Sequence, residues 1–179
     1  MTKTLIINAH PDFRNAAHYS VQLEQTFLQL FQTRFPNDTV DVLNLYDTVI
    51  PQATVPELLG IWEKQAQHVN LSIEEQRLFA INQQLLQQFK AHHRIVIAMP
   101  LHNFNVPARL KDYIDNILVA RETFRYTENG SVGLMTVIHP WNFLGCILTR
   151  CLLKLWGLTG LRSSVHKDCK RTGWRYHRH

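Results

Sequence analysis

Two short apolar runs, "KTLIINA" at residues 3–9 and "RIVIAMP" at residues 94–100, show no polar alternation. A strand with one wet face alternates, so an unbroken apolar run of this length marks a strand covered on both sides. Strands of that kind belong to parallel sheets with helices on each face, which restricts the fold of this chain to a narrow class.

The segments between them agree. In "SVQLEQTFLQLFQTRF" (20–35) the residues Val21, Leu23, Phe27, Leu28, Leu30 and Phe31 fall mostly on one helical stripe, and Pro36-Asn37-Asp38 stops it. "TVDVLNLY" (39–46) alternates apolar and polar residues, as a strand nearer a sheet edge does. Ser72 and Glu75 form a capping box ahead of a stripe of Ile73, Leu78, Ile81, Leu85 and Phe89, a long crossover helix leading into the second apolar run. "VPARLKDYIDNILVA" reads as a further helix with Pro107 in its first turn, where a missing N–H costs nothing. Alternation of this kind predicts an α/β fold, a doubly wound parallel sheet with strand order 2-1-3-4-5. With 179 residues, 45% of them hydrophobic, one domain over 1–179 is expected.

Charge is uneven. Residues 162–179 hold six Lys or Arg and one Asp, a local +5 that equals the net charge of the whole chain. A basic tail on a neutral body with no helix-turn-helix or zinc-finger pattern reads as a solvated segment, and no nucleic-acid partner is expected. Cys146, Cys151 and Cys169 have no paired spacing and read as reduced thiols. "MTKTLIINAHPDF" is too short in its apolar part for a signal peptide, so a cytoplasmic location is expected. The apolar run from Trp141 to Leu161 is broken by Arg150 and Lys154, which favours a packed helix or a dimer surface over a membrane span. His166, Cys169, His177 and His179 are of metal-ligating type, but their spacing matches no zinc site and no metal is expected. His92-His93 suit the end of a helix on dipole grounds, and neither Glu122 nor Glu128 has a partner acid for carboxylate hydrolysis.

In a doubly wound sheet the ligand lies outside the carboxyl ends of the strands, where the chain order reverses. Here the flanking strands end at Asn8-Ala9-His10 and Met99-Pro100-Leu101. After the second comes Leu-His-Asn-Phe-Asn, held between Pro100 and Pro107, whose backbone groups could receive a planar heteroaromatic ligand while Phe104 packs nearby. After the first comes "AHPDFRNAAHYS", a loop entering a helix, where free N–H groups and the helix dipole suit a phosphate and His10, Arg14, His18 and Ser20 could add donors. A plain helix-capping role for His18 or Ser20 is the alternative. The loop has no glycine, which excludes both a Walker loop and a G-x-G-x-x-G fingerprint.

The stretches "MPLHNFNVPARLKDYIDNI" and "TFRYTENGSVGL" resemble the FMN-dependent NADH-azoreductase group of the flavodoxin-like NAD(P)H:quinone oxidoreductases, through a Pro-x-x-Asn-Phe-x-x-Pro run and Thr-Phe-Arg-Tyr-Thr-Glu-Asn-Gly. The resemblance extends from Lys3 to about Leu134. It implies a homodimeric, flavodoxin-like enzyme with FMN as cofactor and NADH or NADPH as co-substrate, passing electrons to quinones or azo compounds by a ping-pong route. It further implies that Pro100, Leu101, His102, Asn103 and Phe104 border the flavin ring, and that His10, His18, Tyr19 and Ser20 hold the phosphate arm. Phe124 and Tyr126 would close a substrate pocket at the dimer interface. Flavin would carry the redox chemistry, with no side chain needed as an obligatory acid or base. This chain has His10 and His18 where relatives typically show serines. Residues 135–179 diverge from the family pattern: "GLRSSVHKD" matches a Ser-Arg-Gly-Gly flavin loop only in outline, so ready loss of FMN is expected. Two other functions fit the same fold: a flavodoxin-like binding or regulatory subunit without turnover, and a hydrolase of the acyl-carrier-protein phosphodiesterase type, a label some relatives have carried.

Overall fold

A computed structural model describes residues 2–128 and 130–135, together with the backbone of 142–144. Its strands are β1 (Lys3–Asn8), β2 (Thr39–Asn44), β3 (Arg94–Ala98), β4 (Phe124–Thr127), β5 (Gly130–Gly133) and β6 (Asn142–Leu144). The helices are α1 (Tyr19–Arg34), α2 (Gly60–Ala66), α3 (Ile73–Lys90) and α4 (Ala108–Ile117), with a kinked turn, Val55–Leu59, leading into α2. The main sheet is parallel with order β2-β1-β3-β6, while β4 and β5 form a separate antiparallel pair. The fifth position of the expected 2-1-3-4-5 order lies outside the described residues, as do the cysteines, the metal-type residues His166 to His179, the "GLRSSVHKD" segment and the basic tail.

Register explains why β1 and β3 are apolar throughout. Ile6 pairs with Val42 on one side and Val96 on the other, so β1 has no open edge. Leu5, Ile7 and Ala9 with Ile95, Ile97 and Met99 form one core with Leu85 and Phe89 of α3 and Leu110, Tyr113 and Ile117 of α4. Alternate residues of a strand face opposite sides, so Thr4, Ile6 and Asn8 with Val96 and Ala98 turn the other way. On that side α1 contributes the buried Val21, Glu24 and Phe31. β2, at the edge of the described sheet, keeps only Leu43 buried, which fits its alternating sequence.

Ser72 caps α3 reciprocally with Glu75, as their spacing predicts. Two details differ from the sequence reading. Pro107 sits at the N-cap of α4 rather than in its first turn, with extended ψ of 142°. Leu30 and Ile73, assigned to buried stripes, are exposed, and the inward positions belong instead to Glu24 on α1 and to Asn82 and Leu86 on α3. Asn82 is accommodated because its amide donates to the carbonyl and side-chain oxygens of Asn116 on α4, both at 3.0 Å.

Candidate functional site

Both loops singled out in the sequence leave the carboxyl ends of adjacent strands. The Ala9 N–H donates to the Ala98 carbonyl at 2.8 Å and Leu45 N–H donates to the Asn8 carbonyl at 2.9 Å, so the exit of β1 is pinned to both neighbours. From there the chain turns on a series of directed hydrogen bonds. The Asn8 side-chain oxygen accepts the His10 N–H at 2.9 Å, and His10 Nδ1 accepts the Asp12 N–H at 3.0 Å. An imidazole nitrogen that accepts carries no proton, which places the hydrogen of neutral His10 on Nε2. His10 is a buried residue, and no described residue accepts that Nε2–H.

His18 occupies the N-cap of α1 without capping it. Its Nε2 lies 2.9 Å from the Asp12 carboxylate, which also accepts from the Asn15 amide, and its ring sits 4.2 Å from that of His10. The plain capping role is therefore not what its side chain performs. Val21 and Gln22 N–H groups donate to the His18 carbonyl, whereas those of Tyr19 and Ser20 find no acceptor among the described residues. Free backbone donors at the start of a 16-residue helix, with the His10 ring against that of His18 at its N-cap, make a donor set suited to an anion. Electrostatics follow the geometry. Burial, then the neighbouring His18, lowers the His10 pKa, and hydrogen bonds from His18 and Asn15 hold the Asp12 carboxyl below its usual range. Arg14 points elsewhere, pairing with Asp47 at 3.1 Å.

His102 lies in the loop that follows β3, and because Asn8 pairs with Ala98 the two loops leave the sheet side by side. His102 and Asn105 exchange both backbone hydrogen bonds, at 3.0 and 2.8 Å, around Asn103 and Phe104 with φ of 47° and 61°. Two consecutive positive φ values mark a tight turn of the type I′ class, normally built from Asn and Gly. The backbone of His102 and Asn105 is thus consumed, unlike the sequence expectation that the whole run is free. The N–H groups of Leu101, Asn103 and Phe104 and the Asn103 amide remain without partners among the described residues. Pro100 and Leu101 are half-buried at the base, and Phe104 is 92% exposed at the tip.

Phe124 and Tyr126 stand apart from this cluster. They pack edge to face at 5.3 Å on β4, and the root of the β4–β5 pair lies by the amino ends of the strands, where Lys90 of α3 binds Glu122 at 2.7 Å. Gly130 opens β5 opposite Thr127 with a positive φ of 114°, which a glycine adopts without strain. Asn8 and Asp12, which direct the turn of the loop after β1, and Glu24, which accepts from the Asn8 amide, were not singled out by the sequence. Elsewhere, a groove of about 340 Å³ between β2 and α3 is lined by Leu43, Thr48, Ile81, Gln84, Leu85 and Gln88, none of them ionisable. Among the described residues no cluster of His, Cys, Asp or Glu is placed to hold a metal, and no helix is long and apolar enough to cross a membrane.

A parallel sheet with β1 inside it, helices on both faces and a loop with unpaired N–H groups at the β1 carboxyl end define a flavodoxin-like protein. Residues 2–137 match the family described as having a flavodoxin-like fold, and the chain belongs to that family. It is 98% identical over 136 residues to FMN-dependent NADH:quinone oxidoreductase 1 of Lactiplantibacillus plantarum, a match covering 76% of this chain and 63% of that protein. It is 53% identical over 133 residues to the FMN-dependent NADH:quinone oxidoreductase of Streptococcus agalactiae, covering 74% and 62%. Among solved structures, the FMN complex of an FMN-dependent NADH-azoreductase from Bacillus anthracis superposes with a TM-score of 0.75 at 44% identity, covering 81% of this chain and 68% of that one. The chain thus spans somewhat less than two thirds of the length of these two oxidoreductases.

Proposed function

We propose that this chain binds FMN at the carboxyl ends of β1 and β3, and that the protein is an FMN-dependent NADH:quinone oxidoreductase also able to reduce azo compounds, working as a cytoplasmic homodimer. The carrying observation is the unpaired donor set at the β1 exit, in a chain 98% identical over 136 residues to a protein named for that cofactor and reaction. His10, Tyr19 and Ser20 would hold the phosphate arm through the His10 Nε2–H, two backbone N–H groups and the Ser20 hydroxyl. His18, bound to Asp12, would support the loop and lend the site its ring. Pro100, Leu101, His102, Asn103 and Phe104 would border the ring system: the free N–H groups of the turn meet its polar edge, and Phe104 supplies an apolar face. FMN, when bound, supplies the redox chemistry, accepting a hydride from reduced nicotinamide and passing electrons to a quinone or azo compound in ping-pong order.

Phe124 and Tyr126 reach such a site most simply from a second copy, since their hairpin roots at the opposite end of the sheet within one chain. NADH is favoured over NADPH by the names of the relatives. The test is to add FMN to the purified protein and follow the visible absorption of the flavin. Saturable binding, bleaching on addition of NADH and recovery on addition of a quinone are expected. Failure to bind FMN, or a flavin spectrum unmoved by both NADH and NADPH, would contradict the reading.

A further inference from the structure

Glu24 is a carboxylate on the buried stripe of α1, at the place where the spacing of Val21, Leu28 and Phe31 asks for an apolar residue. It is 7% exposed, and its one hydrogen-bond partner among the described residues is the side-chain amide of Asn8, which donates to it across the helix–sheet interface. We propose that Glu24 is a positioning residue for the phosphate-binding loop, acting through Asn8 to fix the direction of the hydrogen bonds that present His10. This rests on the FMN reading of the site.

The reasoning is one of donors and acceptors. A carboxamide can be turned either way, but a carboxylate only accepts. Facing Glu24, Asn8 must therefore direct Nδ2 toward the helix and Oδ1 toward the loop, where it accepts the His10 N–H at 2.9 Å. His10, so placed, accepts the Asp12 N–H on Nδ1 at 3.0 Å and keeps its proton on Nε2, which no described residue accepts. The Glu24 carboxylate and the His10 N–H thus ask the same orientation of the Asn8 amide, one from each side, and the Asp12 N–H fixes the His10 tautomer. Holding a carboxylate there is costly: burial raises the Glu24 pKa, and the Asn8 bond only partly offsets it. A leucine would pack the stripe at no such cost but would leave the Asn8 amide free to turn its N–H groups on His10.

The experiment compares FMN with riboflavin, which has the same ring and no phosphate, by titrating each against the wild-type protein, Glu24→Gln and Glu24→Leu and reading flavin fluorescence. If Glu24 acts on the phosphate loop, Glu24→Leu lowers the preference for FMN over riboflavin roughly tenfold, the worth of about one hydrogen bond, with riboflavin affinity unchanged. Glu24→Gln, whose side-chain oxygen still accepts from Asn8, keeps the preference. An unaltered preference in Glu24→Leu, or equal weakening of both flavins, overturns the proposal. A wild-type protein that binds neither flavin overturns the FMN reading itself, a separate and recognisable outcome. Should Glu24→Leu fail to fold, Asn8→Asp decides instead: alone it sets two carboxylates face to face and lowers the preference, and combined with Glu24→Gln it restores a donor–acceptor pair and the preference with it. A double variant no better than Asn8→Asp contradicts the proposal.

Discussion

Phe104 is held at φ of 61° with its side chain almost wholly in solvent. Asparagine tolerates the left-handed region, so Asn103 suits its place, but a phenylalanine there costs about 1–2 kcal/mol and gains little packing among the described residues in return. Strain of this kind collects at ligand sites. Phe104→Gly is therefore expected to hold or raise the melting temperature while weakening FMN binding, both measured on one preparation; a lower melting temperature with unchanged binding would make Phe104 structural. Glu24 gives a second expectation, on pH. Its folded pKa is raised by burial, so the unfolded chain loses this proton first, and the folded state is penalised as pH rises through the interval between the unfolded and folded values. Glu24→Gln should raise the melting temperature at neutral pH, and the gain should shrink as pH falls below the unfolded carboxylate range. His10, His18 and Ser20 were legible because they flank a helix start that follows an apolar strand. Glu24 and Asn8 were not, because a carboxylate in an apolar stripe reads as a fault in the pattern until the fold sets it against an amide 16 residues away.

At the scale of elements, the loop after β2 is secured from α4. The Arg109 guanidinium donates to the carbonyls of Leu45, Thr48 and Ile50 at 3.1, 2.8 and 3.4 Å, and the Asn116 amide donates to that of Pro51 at 2.7 Å. Arg109→Met should lower stability by about 2 kcal/mol in urea denaturation, and Arg109→Lys should rescue little of it, because a single ammonium cannot reach three carbonyls in a plane. β1, β3 and α3 were readable to within two or three residues from apolar runs and a capping box. The tight turn at 102–105 was not, since His-Asn-Phe-Asn lacks the glycine that usually announces positive φ.

For the whole molecule, two aromatic groups lie at opposite ends of the sheet: Phe104 beside the strand-end loops, and Phe124 with the 77% exposed Tyr126 on the hairpin. A second copy is the simplest means of bringing them together, and sedimentation should show a dimer at working concentration. A fully active monomer would contradict that arrangement. The central claim is where the flavin binds, and backbone amide chemical shifts report it residue by residue. Adding FMN to the isotope-labelled protein should shift the amides of His10, Tyr19 and Ser20 together with those of Leu101 to Phe104, and leave Leu43, Ile81 and Leu85 of the β2–α3 groove unmoved. Shifts confined to that groove, or none at either strand-end loop at saturating FMN, would contradict the account.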